Sequence, residues 1–285
     1  MIKIAVPNKG RLAEGALDLL QRAGLRARGK SDRALQASLG NGFQALFVRA
    51  RDIPEFVADG AAQAGITGKD VVAETGRDHE ALLDLEYGRC RLVVATHEDG
   101  VSTVSDLPDG TMVATSFPRL TRDFFGARDI PVDIAPVSGA AEIAPHIGVA
   151  DVIVDLVSTG TTLKVNGLKE IATVLESSAI LIARPAQERD PEVDDSLREL
   201  VAALESVLRA RDKRYLMANV PRDALDRVRR VLPGISGPTV VDIVDSGWVA
   251  AHAVVDTADV YRAIADLKDL GATGILVTKI ERLMP

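Results

Sequence analysis

The sequence predicts an α/β protein that ends in a ferredoxin-like domain, and three observations lead there. Short β-type runs alternate with helical patterns from Met1 to about Arg184, which reads as a parallel or mixed sheet covered by helices. The charged run Arg209-Ala210-Arg211-Asp212-Lys213-Arg214 then marks a boundary. Beyond it the order is β-α-β-β-α-β, the ferredoxin-like arrangement.

Ile2–Val6 reads as the first strand, and Leu12–Ala23 as a helix with Leu17, Leu19 and Leu20 on or near its apolar face. Ala45–Arg49 is a strand, and the next helix opens near Pro54, a residue suited to a first turn. Ala64–Thr67 is a short strand, followed by a helix from Lys69 to Thr75. Leu92–Ala95, Met112–Ser116, Val132–Ile134, Val152–Val157 and Ala179–Ala183 continue the strand series. Asp190-Pro191 opens a long helix, with Leu197, Leu200, Val201, Leu204, Val207 and Leu208 on one face. The last domain is read as strand Tyr215–Val220, helix Pro221–Leu232, strands Thr239–Val244 and Trp248–Val255, helix Ala258–Leu270 and strand Gly274–Ile280.

The 285 residues suffice for two or three compact units. A net charge of −7 argues against bulk nucleic-acid binding. No apolar run is long enough to cross a bilayer, and the amino terminus reads as a strand rather than a signal peptide. The lone cysteine, Cys90, excludes an internal disulfide and suits a cytoplasmic location; at the head of an apolar run it is a poor nucleophile. His79, His97, His146 and His252 show no zinc spacing. Local cations punctuate the acidic chain: Lys9 and Arg11, Arg49 and Arg51, Lys69, Arg119 and Arg122.

The stretch Asp155-Leu156-Val157-Ser158-Thr159-Gly160-Thr161-Thr162-Leu163 is the richest in chemistry. It follows the apolar run Val152-Ile153-Val154, so a buried strand opens into a loop of four hydroxyls around Gly160. Converging peptide N–H groups and hydroxyls suit a phosphate, and Asp155 suits sugar hydroxyls or a divalent cation. An ordinary polar turn with Thr161 as helix cap is the other reading. Gly65-Ile66-Thr67-Gly68-Lys69-Asp70 echoes this stretch as a strand ending in a Thr-Gly turn, and two such turns from two lobes would face one cleft.

Glu142 to Leu163, continued by Asn166-Gly167-Leu168, resembles the signature of the ATP phosphoribosyltransferases in their long form. Val6-Pro7-Asn8-Lys9-Gly10-Arg11-Leu12, the Gly65–Asp70 turn and Pro233-Gly234…Pro238-Thr239 are similar as well, so the resemblance covers essentially the whole chain. It implies a two-lobed type II periplasmic-binding-like catalytic part, with residues 1–90 and about 179–211 in lobe I and 91–178 in lobe II. Residues 212–285 would be a regulatory domain that binds histidine as feedback inhibitor. The implied reaction joins N1 of ATP to C1 of phosphoribosyl pyrophosphate with release of pyrophosphate, requires Mg²⁺, and opens histidine biosynthesis. A dimer–hexamer equilibrium is also implied.

Adenine N1 can attack without first losing a proton, so positioning and electrostatics should carry the chemistry, with no obligatory acid or base. By resemblance, Ser158, Thr159, Gly160, Thr161 and Thr162 hold the ribose 5-phosphate, and Asp155 the ribose hydroxyls or the metal. Asp151 falls on the same strand face as Asp155, as a second carboxylate or a position below the cleft. Glu142 is a ribose or metal ligand or a first-turn acid. On the ATP side stand Lys9, Arg11, Arg49, Gly68, Asp70, Ser116 and Phe117. Arg51 reads as a surface charge or a salt-bridge partner. Asp70 is an acceptor for the adenine amino group or a helix cap, and Phe117 a stacking face or core packing. Relatives often have Tyr at the place of Phe117, so only stacking carries over. Asn219, Ile235, Gly237, Thr239 and Gly274 fall where relatives contact histidine; some carry Asp at the place of Asn219, which puts inhibitor strength in question. A solute-binding protein or an amino-acid-sensing module is the rival reading, and the second leaves the phosphate loop unexplained.

Overall fold

The computed structural model describes residues 1–27, 34–139, 141–244 and 247–284. The chain divides into two compact units, Met1–Val201 and Ala202–Pro285.

The first unit holds two sheets. Its strands are β1 (Ile2–Pro7), β2 (Gln36–Gly40), β3 (Phe43–Val48), β4 (Ala64–Gly68), β5 (Glu80–Asp84), β6 (Cys90–His97), β7 (Thr111–Thr115), β8 (Val132–Pro136), β9 (Val152–Val157), β10 (Leu168–Ser177) and β11 (Ala179–Ala183). Its helices are α1 (Ala13–Arg22), α2 (Ile53–Ala58), α3 (Lys69–Thr75), α4 (Pro118–Gly126) and α5 (Thr161–Val165). Helix α6 (Pro191–Ala210) begins where Asp190-Pro191 predicts, and the division between the units falls inside it.

The first lobe's sheet has the order β2-β3-β1-β4-β11-β5, and the second's β10-β6-β9-β7-β8. Set β2 aside and the two sheets share one plan. In each, a central strand lies parallel to one neighbour (β4 to β1, β9 to β7) and antiparallel to a strand that has crossed from the other lobe's part of the chain (β11 and β6). This is the two-lobed, type II periplasmic-binding-like arrangement. It also gives the Thr-Gly echo a physical basis, because β4 and β9 occupy equivalent places. Both end towards the segments that join the lobes: Gly68 pairs with Ala179, and Val157 with Arg91.

The central strands are apolar on both faces, as covered strands require. β4 and β11 are buried along their whole lengths. One face of the second lobe's sheet packs Val93, Ala95, Ile153 and Val157 against Leu163 and Leu168; the other packs Leu92, Val94, Val152 and Val154 against Phe117, Phe124 and Phe125.

Sequence patterning misses β2, β5 and β10. All three are edge strands. A strand paired on one side only keeps side chains in water on part of its surface, so its hydrophobic run is broken. β10 is further irregular, with two register shifts against β6.

The second unit contains β12 (Lys213–Pro221), α7 (Leu225–Val231), β13 (Thr239–Asp242), β14 (Trp248–Asp256), α8 (Val260–Asp269) and β15 (Thr273–Lys279). Its sheet order, β13-β14-β12-β15, is ferredoxin-like. Alternation along β12 and β14 sends Leu216, Ala218, Val220, Val249, Ala251, Ala253 and Val255 into a core with Val228, Ala263 and Leu267 of the helices. The opposite sheet face carries Met217, Asn219, Ala250 and His252 and is only partly covered.

Candidate functional site

Two cavities adjoin in the first unit at Val157 and Ser158. One, of about 170 Å³, is lined by Glu142, Asp155, Leu156, Ser158, Thr159, Gly160, Thr162 and Leu163 as well as Val157. The other, of about 450 Å³, is lined by Lys69, Asp84, Arg89, Cys90, Arg91 and Glu176–Ser178 together with Val157 and Ser158.

The loop after β9 presents four hydroxyls around one glycine. Ser158, Thr159, Thr161 and Thr162 are all exposed, whereas Val157 before them and Leu163 after them are buried and anchor the loop. Gly160 precedes α5 with φ of 76°, a left-handed conformation that explains glycine at this position. It, rather than Thr161, takes the helix-cap position. The Thr159 and Thr161 hydroxyls lie 3.1 Å apart, and Asn166 Nδ2 donates to the Thr162 carbonyl at 2.9 Å from behind.

Asp155 faces the same cavity, and its carboxyl pKa is pushed above the usual range. Burial is the main cause; the Leu156 N–H, which donates to Asp155 Oδ1 at 2.8 Å, opposes it, the charge of Glu142 adds to it, and the Arg51 guanidinium opposes it. Glu142 is thus beside Asp155, at a short helical turn Ala141–Ile143. Asp151 is not. It sits before the amino end of β9, where its Oδ2 accepts the Met112 N–H at 2.8 Å, and lines a separate cavity with Thr111 and Val152. At about 3.3 Å per residue, four residues put it roughly 13 Å from Asp155 along the strand. Sharing a strand face therefore does not bring the two acids to one ligand.

On the other side of the cleft, Lys9, Arg11 and Arg49 are exposed on turns that follow β1 and β3. Arg11 is committed to the protein: it donates to the Gly88 carbonyl and lies 3.5 Å from Asp70 Oδ1. Asp70 itself is 1% exposed and accepts from the Ser177 hydroxyl. It is thus a buried partner of Arg11 and of Ser177 at the end of β10. Gly68 precedes α3 against this carboxylate; a Cβ there would stand 2.2 Å from Asp70 Oδ1.

Ser116 is half-buried at the end of β7. Phe117 is 3% exposed and packed with Phe124 and Phe125, so its ring is core and offers no open face for stacking. Instead the Arg51 guanidinium lies 5.5 Å from the Phe117 ring centre. Arg51, which the sequence leaves as a surface charge or a salt-bridge partner, reaches the other lobe and acts on Asp155.

Of the cations of the larger cavity, Lys69, Arg89 and Arg91, the sequence singles out only Lys69, as one of the local cations suited to polyphosphate. Lys69 stands out as a charge just after a Thr-Gly turn; Arg89 lies in the segment between β5 and β6 and Arg91 is a single charge at the head of β6, and neither carries such a signal. Cys90 between them is buried, and desolvation pushes its thiol pKa up, with Arg11 opposing; it is a poor nucleophile.

In the second unit, Asn219 and Thr239 lie on the open face of the sheet, and a Cβ at Gly274 would stand 3.1 Å from Asn219 Nδ2. Gly237 has φ of 100° in the turn before β13. Ile235 instead lines a cavity of about 290 Å³ with Lys213, Arg230, Asp256 and Arg262. Among the described residues no helix is long and apolar enough to cross a membrane, and no group of three or more His, Cys, Asp or Glu is placed to hold a metal alone.

Residues 49–206 match the family model described as ATP phosphoribosyltransferase, and residues 210–282 match a model described as the HisG C-terminal domain. The ATP phosphoribosyltransferase of Gemmatimonas aurantiaca is 59% identical over 292 residues, covering all of both chains. That of Natronomonas pharaonis is 52% identical over 286 residues with the same full coverage. Among solved structures, the ATP phosphoribosyl transferase (HisG:HisZ) complex from Thermotoga maritima contains a similar chain at 27% identity and a TM-score of 0.63, over 72% of this chain and 99% of that one.

Proposed function

The chain belongs to the ATP phosphoribosyltransferase family and catalyses the first step of histidine biosynthesis; on that premise we propose how its residues divide the work. Ser158, Thr159, Gly160, Thr161 and Thr162 bind the 5-phosphate of phosphoribosyl pyrophosphate, and Asp155 with Glu142 takes the ribose hydroxyls. The observation that carries this is one cavity holding both the exposed hydroxyl loop and a carboxylate at the strand end.

Nucleophilic attack by adenine N1 on C1 forms the C–N bond while the C1–O electron pair leaves with pyrophosphate. No group on this chain needs to move a proton for that step. The enzyme's contribution is then alignment of the two substrates and stabilisation of charge on the leaving group. Arg51 lies at the lobe boundary, and Lys9 and Arg49 remain exposed for the ATP phosphates.

Mg²⁺ is the metal we propose. Asp155 and Glu142 offer hard oxygen donors in one cavity, too few for an all-protein site, which suits a cation held mainly by substrate phosphates and water. Bound there, it would offset phosphate charge.

Residues 212–285 serve as the regulatory domain, with histidine held by Asn219, Ile235, Gly237, Thr239 and Gly274. Val241 and Leu276, 51% and 59% exposed, leave apolar surface on that domain for assembly as dimer and hexamer. A buried, unpaired Cys90 is in keeping with a cytoplasmic enzyme.

The test is to mix the protein with ATP, phosphoribosyl pyrophosphate and Mg²⁺ and follow phosphoribosyl-ATP and pyrophosphate. Asp155→Ala and Thr162→Ala should each lower kcat/KM by at least tenfold; wild-type rates in both would refute the loop assignment.

A further inference from the structure

The small cavity of the first unit is walled by separate stretches of chain. The hydroxyl loop and the start of α5 follow Asp155 directly, whereas Glu142 comes from the short helical turn Ala141–Ile143. Ala141 and Ala144 share a core with Leu163 and Leu168, which holds the two stretches together. Apolar packing is non-directional, so it does not set the angle between them. A hydrogen bond does. His146 lies one turn beyond Glu142, and its peptide N–H donates to the Ile143 carbonyl at 3.0 Å. Its Nε2 lies 2.8 Å from the Asn166 carbonyl. A carbonyl can only accept, so Nε2 carries the proton in this contact.

Asn166 passes this restraint to the loop. It ends α5, where its Nδ2 donates to the Thr162 carbonyl at 2.9 Å and its peptide N–H reaches the Thr162 and Leu163 carbonyls at 3.2 and 3.1 Å. A helix of five residues is marginal by itself and depends on anchors outside it. The His146 ring is held in turn. His97, the last residue of β6, meets it edge-on, with ring centres 5.1 Å apart and planes at 84°. His97 is fixed by its pairing with Leu168 of β10. We propose that His146 is a positioning residue of the sugar-phosphate site, setting the hydroxyl loop against the Glu142 and Asp155 carboxylates through Asn166. It does not line the cavity, so it acts only through its neighbours. This rests on the assignment of the loop to the 5-phosphate. A ribose held by its phosphate on the loop and by its hydroxyls on the carboxylates needs both at one spacing. That fit serves the bound substrate and the transition state alike, so KM responds and kcat does not.

The test compares wild-type protein, His146→Phe, His146→Gln and the loop variant Thr162→Val. Steady-state kinetics with ATP, phosphoribosyl pyrophosphate and Mg²⁺ are measured beside calorimetric titration with ribose 5-phosphate. His146→Phe keeps a ring against His97 and removes the donor, whereas His146→Gln restores an N–H near the place of Nε2. In His146→Phe the KM for phosphoribosyl pyrophosphate should rise about three- to tenfold, the scale of one hydrogen bond, with ribose 5-phosphate binding weakened in parallel. Its kcat and its KM for ATP should stay within about twofold of wild type, and His146→Gln should recover most of the loss. An unchanged KM in His146→Phe overturns the proposal, as does a loss that His146→Gln fails to recover. A fall in kcat and a rise in both KM values, together with a lower melting temperature, overturns it too, by making the contact structural only. Ribose 5-phosphate binding that survives Thr162→Val would instead refute the loop assignment, whatever His146→Phe does. His146 is exposed, so neither replacement enters the core, and thermal unfolding of each variant checks this.

Discussion

Glu74 of the first lobe closes the amino end of the second lobe's helix at Arg119. Its Oε1 accepts the Arg119 peptide N–H at 2.8 Å and its Oε2 the Leu120 N–H at 2.9 Å, while Arg119 Nη1 donates back to the Ala73 carbonyl at 3.0 Å. A carboxylate at a helix start satisfies peptide groups that have no partner inside the helix, and here it comes from the opposing lobe. Glu74→Ala should cost about 1–2 kcal/mol in denaturant unfolding, the range for a lost cap. Because the cap also spans the lobes, KM for both substrates should rise. Glu74→Gln keeps one strong acceptor and should fall between. Kinetics unchanged in Glu74→Ala would show that the contact is structural only.

A second tie lies at the crossing between lobes. The Tyr87 hydroxyl donates to the Leu12 carbonyl at 3.0 Å, and burial holds its phenol pKa well above normal. The ring rests where a side chain at Gly15 would be: a Cβ there would stand 2.4 Å from ring carbon Cε2. Gly15→Ala should therefore destabilise by about 1–3 kcal/mol through overpacking, despite the better helix propensity of alanine. In a Tyr87→Ala background the same change should cost much less, since the clash is gone. Additive penalties in that double-mutant cycle would sink the explanation.

These ties explain how far the sequence could be read. Val152–Val154 and Ala179–Ala183 are buried on both faces and declare themselves as strands by composition alone. Ser158–Thr162 stand out in the sequence as a hydroxyl-rich loop, and the structure exposes those hydroxyls, because their chemistry is local: successive hydroxyls around one glycine need no distant partner. Asp70 and Phe117 leave two readings open in the sequence for the opposite reason. What surrounds Asp70 is Ser177, 107 residues away in sequence, and what covers Phe117 is a core assembled from several strands.

In the second unit, Asn219 brings a neutral amide to the open sheet face beside Gly274. If histidine binds there through its ammonium group, Asn219→Asp adds an attractive charge and should tighten inhibition by about three- to tenfold, on the order of 1 kcal/mol for a partly solvated pair. Gly274→Val should abolish inhibition, since its φ of 58° and the adjacent amide leave a branched side chain no room. Inhibition constants for histidine, measured with catalysis otherwise intact, decide this. Identical constants in all three proteins would move the inhibitor elsewhere.

The raised pKa of Asp155 sets a pH dependence whose sign is fixed. Burial makes the folded protein hold this proton more tightly than the unfolded chain does. As pH rises through the ordinary carboxylate range the unfolded chain loses its proton first, so stability falls; the decline ends once pH passes the higher folded value, and the penalty persists at neutrality. Asp155→Asn should therefore be more stable than wild type near pH 7, and the difference should vanish at low pH where Asp155 is protonated. Catalysis should move the other way. The ionised form is the one that accepts ribose hydroxyls or binds a cation, so wild-type kcat/KM should fall on the acid side at a pH above that of an ordinary aspartate. The Asn variant should be slow and lack that limb. Thermal unfolding and kcat/KM, both measured across pH, separate the two effects, and an Asn variant less stable at neutral pH would mean that the charge is satisfied by its surroundings rather than held at a cost.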